Sequence, residues 1–377
     1  PAMQKKLNLD KAKHAITAAG LTQSAIARHL DVSKEAVSQW LNEKSFPRPN
    51  KLLQLGKLLG LGFDELVIKD DPYAPQIAFR KTKGTTTTDR HIEKAQETGR
   101  FLRHLVPYLP FDTLEMPPIL KAPQHNYEYL NKVASKVRRD INASETQTVD
   151  FIHLIRRFSE LQAVIVPVLW GSKNRHENAI HIYLPDSQST WVYLNLDVNI
   201  HDFKFWMAHE LGHCLSPSLS GENAENFADD FAGALLFPTQ LAEQAYSNTY
   251  AKKTNAAKIE HLLAIAEKEV ISPYTVIAQI NKCAVHSEKQ QINLTGDFDD
   301  AVAEFNTIYS NLSTSILGDL NELDARKFVQ KTKSSFETPF FDLLRQYLKD
   351  SNKGSGYVQS VTDMSLLDAR SIYSELT

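Results

Sequence analysis

Apolar residues along this chain follow three regimes in turn. Between residues 9 and 68 they recur every three or four positions in short runs, with Ile26, Leu30, Val32, Val37 and Leu41 spaced to fill one shared core. Four or five short helices are predicted there. From Lys69 to about Arg90 the period is lost among Asp70-Asp71-Pro72, Pro75, a basic run Arg80–Lys83 and four threonines, so a linker is expected. A helix from Asp89 to about Leu105 follows, then a proline-rich passage, then helical periodicity over 126–161 through Val133, Val137, Ile141, Phe151, Ile155 and Phe158. The pattern next changes to short β-branched and aromatic runs, Ala163–Trp170, Ala179–Leu184 and Trp191–Leu196, separated by turn residues. These predict a small mixed or antiparallel sheet. Helical spacing returns from Asn199 and persists to the C-terminus, with segments expected at Ala301–Leu317, Asp324–Thr332, Pro339–Leu348 and Leu366–Leu376. The fold class is therefore α+β and mostly helical.

The first regime has helix-turn-helix character. Thr22 and Ser33 are placed to cap successive helices, Ala27 is small where the two would cross, and Asp31 in the turn tolerates a left-handed conformation. Ser33–Leu41 is then the recognition helix, with Ser33, Lys34, Glu35, Ser38 and Gln39 facing base edges. Arg28, Lys44, Arg48 and Lys51 are the expected phosphate contacts. Charge supports this reading: residues 1–69 carry eleven Lys/Arg and six Asp/Glu, a balance of +5, so the rest of a chain of net charge −3 carries −8. The stretch resembles the XRE-type (Cro/phage-repressor) helix-turn-helix family, with Pro47–Leu59 as a fourth helix and Phe63–Val67 as a short fifth. The resemblance implies operator DNA as partner and a homodimer as the binding form.

Composition narrows the remainder. No run of 18 apolar residues occurs and no signal peptide is visible, so a membrane partner is not expected. Two cysteines, Cys214 and Cys283, are too few for a disulfide framework and fit the cytoplasm.

Chemistry concentrates at Met207–Cys214, which reads His209-Glu210-Leu211-Gly212-His213. On a helix, positions four apart share a face, so His209 and His213 can grip one ion while Glu210 stands aside as a base. Gly212 lets another backbone or a substrate approach closely. A third ligand is sought on the next helix, where Ala228, Phe231, Ala232, Leu235 and Leu236 form one side and Glu225 and Asp229 share the other. That spacing suits a carboxylate ligand plus a second carboxylate orienting a ligand histidine, with Glu222 as the alternative ligand.

Together, His209–His213 and Glu225-x-x-Ala228-Asp229-x-Phe231-Ala232-x-x-Leu235-Leu236-Phe237-Pro238 resemble the ImmA/IrrE metallopeptidases over roughly residues 130–285. That family usually has Asn at position 229 and Met at 237. The resemblance implies a zincin-like domain in which His209, His213 and Glu225 hold Zn2+, with Mn2+ an alternative, and Asp229 supports the site. It also implies Glu210 as the general base of a zinc endopeptidase and a helix-turn-helix-like module after the peptidase. Cys214 is read as a small buried hydrophobe. His201, Tyr193 and Tyr246 are candidates for a second oxyanion donor.

These readings divide the chain into a helix-turn-helix domain (1–69), a linker with a connecting helix (70–125), a peptidase domain (126–255), a helix-turn-helix-like module (256–290) and a C-terminal helical region (291–377). The expected function is a DNA-binding regulator whose peptidase cleaves a repressor-like protein, in trans or in its own linker, and so switches a stress, prophage or defence operon. Two alternatives are a transcription factor with a ligand- or metal-sensing zincin body, and a toxin–antitoxin component.

Overall fold

The computed structural model describes residues 4–70, 73–81, 89–111, 119–170, 177–294, 296–308 and 311–377. It separates into two compact units, Pro1–Ala74 and Pro75–Thr377. The mostly helical α+β class predicted from the sequence is the class observed.

The first unit contains β1 (Gln4–Leu7), α1 (Leu9–Ala18), α2 (Gln23–Leu30), α3 (Lys34–Leu41), α4 (Pro49–Leu59), α5 (Phe63–Leu66) and β2 (Val67–Asp70). Caps set the helix starts. The Thr22 hydroxyl accepts from the Ala25 amide at 3.2 Å, and Ser33 accepts from Ala36 at 3.1 Å. Asp31, in the turn between α2 and α3, takes the left-handed conformation at φ 51°. Ile26, Leu30, Val37 and Leu41 enter the core as predicted, joined by Trp40 and by Leu52, Leu55 and Leu66. The unpredicted feature is a two-stranded antiparallel ribbon pairing Gln4–Leu7 with Val67–Asp70. Four residues per strand are too few to establish an alternation in the sequence.

The second unit begins with β3 (Gln76–Lys81) and α6 (Asp89–Leu102), then α7 (Tyr127–Asp140), α8 (Phe151–Glu160), β4 (Ala163–Val168), β5 (Glu177–Leu184) and β6 (Ser189–Asn195). It continues with α9 (Ile200–Leu215), α10 (Gly221–Leu236), α11 (Thr239–Tyr250), α12 (Asn255–Glu269) and α13 (Pro273–His286). The chain closes with α14 (Asp297–Thr307), α15 (Leu312–Leu317), α16 (Ala325–Phe336), α17 (Phe340–Ser351), α18 (Ser355–Thr362) and α19 (Leu366–Leu376). The sheet order is β3-β5-β6-β4, with β4 parallel to β6 and the other pairs antiparallel. The presence of β3 corrects the expectation of an unstructured linker. Ile77 and Phe79 stand two apart between Gln76 and Arg80, but Ala78 separates them and Pro75 and the basic run leave only six residues to show a pattern. The threonines Thr85–Thr88 and the prolines Pro117 and Pro118 lie outside the described residues.

Sheet register decides which side chains meet the helix α9. His181 on β5 lies opposite Val192 on β6, while Ile180 faces Tyr193 and Ile182 faces Trp191. Alternation then sends Tyr193 and Trp191 to the opposite side from His181. There the Tyr193 hydroxyl donates to the Val361 carbonyl, and the Trp170 indole donates to the Thr362 carbonyl at 2.9 Å. Both acceptors belong to α18, a helix the sequence pattern did not reveal. The Thr338 hydroxyl likewise donates to the Ile165 carbonyl on β4. The segments read from sequence as peptidase domain, module and C-terminal region thus share one continuous core. The predicted helix over Ala301–Leu317 is two helices, α14 and α15, and residues 309–310 between them lie outside the described set.

Candidate functional site

The helix α9 starts where the Asn199 side chain accepts from the His201 amide at 2.9 Å, and it ends at Leu215. Its second half is buried on all sides, which is why it carries apolar residues around most of its circumference. The helix α10 crosses it at Gly212. A Cβ at that glycine would come within 3.0 Å of the Ala228 Cα and 3.1 Å of the Phe231 ring. Close backbone approach is therefore the reason for glycine between the two histidines, and the backbone concerned is that of α10. This crossing brings Glu225 and Asp229 onto the histidines.

The resulting geometry is compact. The Nε2 atoms of His209 and His213 are 3.0 Å apart. One Glu225 oxygen lies 3.5 Å from His209 Nε2, and the other lies 3.5 Å from His213 Nε2. On its far side, His209 Nδ1 meets an Asp229 carboxylate oxygen at 2.8 Å. Glu210 is wholly buried, and its carboxylate clusters with the two imidazoles within 4.8 Å. Burial opposes a charge on His209, but Asp229, Glu225 and Glu210 outweigh it and hold the imidazole up at about 9. All five predicted site residues, His209, Glu210, His213, Glu225 and Asp229, are brought together. Glu222 lines the same cleft, but Glu225 is the carboxylate that reaches both histidines.

These residues fit a tetrahedral metal. Metal–nitrogen bonds of about 2.0–2.1 Å at tetrahedral angles put two ligand atoms roughly 3.3 Å apart. The observed separations of 3.0, 3.5 and 3.5 Å lie on either side of that value. Two imidazole nitrogens facing each other at 3.0 Å also make poor partners without a cation or a shared proton.

The cleft in front of the site has a volume of about 920 Å³ and is walled by β3, β5, the α9–α10 connection and the start of α10. Two cleft residues escaped sequence reasoning: His181 and Tyr183, both on the α9-facing side of β5. The His181 ring lies 5.6 Å from that of His213, with its Nε2 3.7 Å from Cys214 Sγ. Burial, and then the charge of His209, push His181 down to about 4, so it is neutral at ordinary pH. Period-2 alternation through Ala179, His181 and Tyr183 was the available signal.

The three proposed oxyanion donors are corrected. Tyr193 serves the far side of the sheet, Tyr246 donates to the Gln290 carbonyl at 2.8 Å, and His201 packs edge-on against Phe305 two turns before His209. Cys214 is buried as expected, with its thiol pushed up by desolvation. Asp230, on α10, pairs with His125 and Lys282. A further unpredicted support is Arg138. Its buried guanidinium donates to the Leu235 carbonyl at 2.9 Å near the end of α10, and to Ser144 and Gln147 at 2.7 and 2.8 Å.

In the first unit, Ser33, Lys34, Glu35 and Gln39 are exposed on α3, and Ser38 is half-buried. Arg28, Lys44 and Arg48 are also exposed. Lys51 differs: its ammonium group donates to the Leu30 carbonyl, so it closes the end of α2.

Residues 13–66 match a helix-turn-helix family model. This stretch is a helix-turn-helix of the XRE type, and it marks the chain as a DNA-binding transcriptional regulator. The chain matches no curated protein and no solved structure. The ImmA/IrrE resemblance of the body finds no support in these comparisons and rests on its residues. No helix among the described residues is long and apolar enough to cross a membrane.

Proposed function

We infer that this regulator is also a zinc-dependent endopeptidase whose substrate is a repressor-like protein. The observation that carries the reading is the mutual spacing of His209 Nε2, His213 Nε2 and the Glu225 carboxylate beside a buried Glu210, at the wall of an open cleft. His209, His213 and Glu225 would hold the metal, and Asp229 fixes the His209 ring through Nδ1. Zinc, when bound, supplies Lewis acidity toward a peptide carbonyl and toward water. Glu210 accepts the proton of the attacking water and passes it to the leaving amine. Its burial keeps that proton from bulk solvent. On this reading His181 and Tyr183, which line the cleft wall, would supply the N–H and O–H toward the developing oxyanion. A DNA-binding head on such a body directs the cutting toward proteins that act at operators, including chains that carry a similar head.

The test is mass spectrometry of products after the zinc-loaded chain is mixed with proteins encoded beside it, alongside the Glu210→Gln variant. Cutting by the native chain, and zinc retained without cutting in the variant, is the expected pair of results. A zinc-loaded native chain that cuts nothing, itself included, overturns the peptidase reading in favour of a metal- or ligand-sensing body.

A further inference from the structure

The strand β3 belongs to the segment that leads out of the head, yet it forms the edge of the sheet beside the metal ligands. It runs antiparallel along β5 in the register Gln76↔Tyr183, Ile77↔Ile182, Ala78↔His181, Phe79↔Ile180 and Arg80↔Ala179, and the regular ladder breaks between Arg80 and Lys81. The β5 positions opposite Gln76 and Ala78 are therefore Tyr183 and His181, the two that face the cleft. Gln76 and Ile77 themselves line that cleft together with His213 and Glu225. The strand also packs against α10, the helix that carries Glu225 and Asp229.

Remove β3 and the picture is simple. The strand β5, paired only with β6, becomes an open edge beside the two histidines, with its N–H and C=O groups ready for an extended chain. An extended peptide would bind there antiparallel, as β3 now does.

We propose that β3 is an intramolecular pseudosubstrate: it holds the β5 edge on which the cleft would bind an extended peptide, and it has to leave before another chain can pair there. The inference rests on the cleft being a peptide-binding site and adds how access to it is controlled. An edge strand of six residues, paired on one side only, sits at the low-stability end of a sheet and can open without unfolding the core. Because β3 follows directly on the helix-turn-helix unit, an event on the head can pull on it.

The test uses the full-length, zinc-loaded Glu210→Gln chain, which binds without turnover, and a fluorescein-labelled peptide of the sequence Pro75–Lys81. Two second-site variants loosen β3: Ala78→Pro, which deprives the strand of a backbone donor, and the pair Gln76→Gly with Ile77→Gly, which weakens it without removing one. Loss of the tethered competitor should tighten peptide binding about tenfold or more in both, as expected for a rival held at high effective concentration. Bound peptide should also slow amide exchange across 179–184. Exchange protection of β6 verifies folding, and the glycine pair decides the matter where the proline variant does not fold. Equal affinity in the parent and the glycine pair overturns the proposal, whether the peptide binds the outer edge of β3 or nowhere. A chain that binds the peptide as predicted yet cuts no protein keeps this inference and loses the peptidase reading; a chain that cuts but shows no change in affinity does the reverse.

Discussion

His209 Nδ1 lies 2.8 Å from a carboxylate oxygen of Asp229, which reaches it from the neighbouring helix. That contact leaves Nε2 as the nitrogen turned toward His213 and Glu225. Removing it with Asp229→Ala frees the ring to rotate and lowers its basicity. Zinc affinity should fall about 10–100-fold with the fold intact. Competition against a fluorescent chelator reads this directly, and an unchanged affinity would show that the contact is incidental.

Gly212 sets the distance between α9, which carries the two histidines, and α10, which carries Glu225. Gly212→Ala places a methyl group 3.0 Å from a backbone atom of Ala228, which cannot swing aside as a flexible side chain would. The overpacking should cost about 1–3 kcal/mol in the metal-free chain. Because Glu225 retreats with α10, the stabilisation gained on adding zinc should shrink as well. Thermal melts with and without zinc measure both effects.

On the head, the two kinds of DNA contact should separate by salt. Lys44→Ala and Arg48→Ala should each weaken binding to every sequence and reduce the slope of log affinity against log salt by about 1. Gln39→Ala should leave the slope alone and relax base preference at one position, by about 1–3 kcal/mol. Lys51→Ala should lower the melting temperature of the head, since its ammonium group is committed to the Leu30 carbonyl. Binding-site selection, salt titration and thermal melts of the variants distinguish the three outcomes.

Acid stability should depend on His201. Burial, reinforced by Lys204, pushes this histidine from its ordinary 6.5 down to about 4. Above 6.5 neither state binds the proton. Between 6.5 and 4 the unfolded chain takes it up and the folded chain does not, so stability falls as pH falls through that window, by at most about 1.4 kcal/mol per pH unit. His201→Phe, which keeps an aromatic ring beside Phe305, should flatten that part of the profile. Denaturant melts between pH 4 and 7 provide the measurement, and an unaltered slope would reassign the acid sensitivity to other groups.

What was legible in the chain was whatever is encoded locally. Helix spacing placed His209 and His213 on one face, Thr22 and Ser33 announced their helices, and Pro238 marked the end of the helix bearing Glu225 and Asp229. Glycine between the histidines signalled a close neighbour without saying which. Illegible were the features that depend on long-range pairing. The strand β3 has only Ile77 and Phe79 to mark it, and its partner β5 lies a hundred residues on. His181 and Tyr183 alternate with Ile180, Ile182 and Leu184, but which of the two faces meets α9 is decided only by the pairing of β5 within the sheet. The short helix α18 has a weak period of its own and is defined by Tyr193 and Trp170, which seek acceptors on it. Arg138 escaped notice because its hydrogen-bond acceptors are the backbone carbonyls of Leu235, Ser144 and Gln147, which a side-chain pattern does not mark.

The α18 acceptors also have a genetic consequence. The side of the sheet turned away from His181 is roofed by α18, with Thr338 fastening the roof to β4. A truncation before Thr338 would therefore strip the α18 acceptors from Tyr193 and Trp170 and destabilise the body. The independently packed head would be left to occupy DNA alone. Such alleles should behave in a cell as unregulated DNA binders, unlike the Glu210→Gln allele, in which the body stays folded.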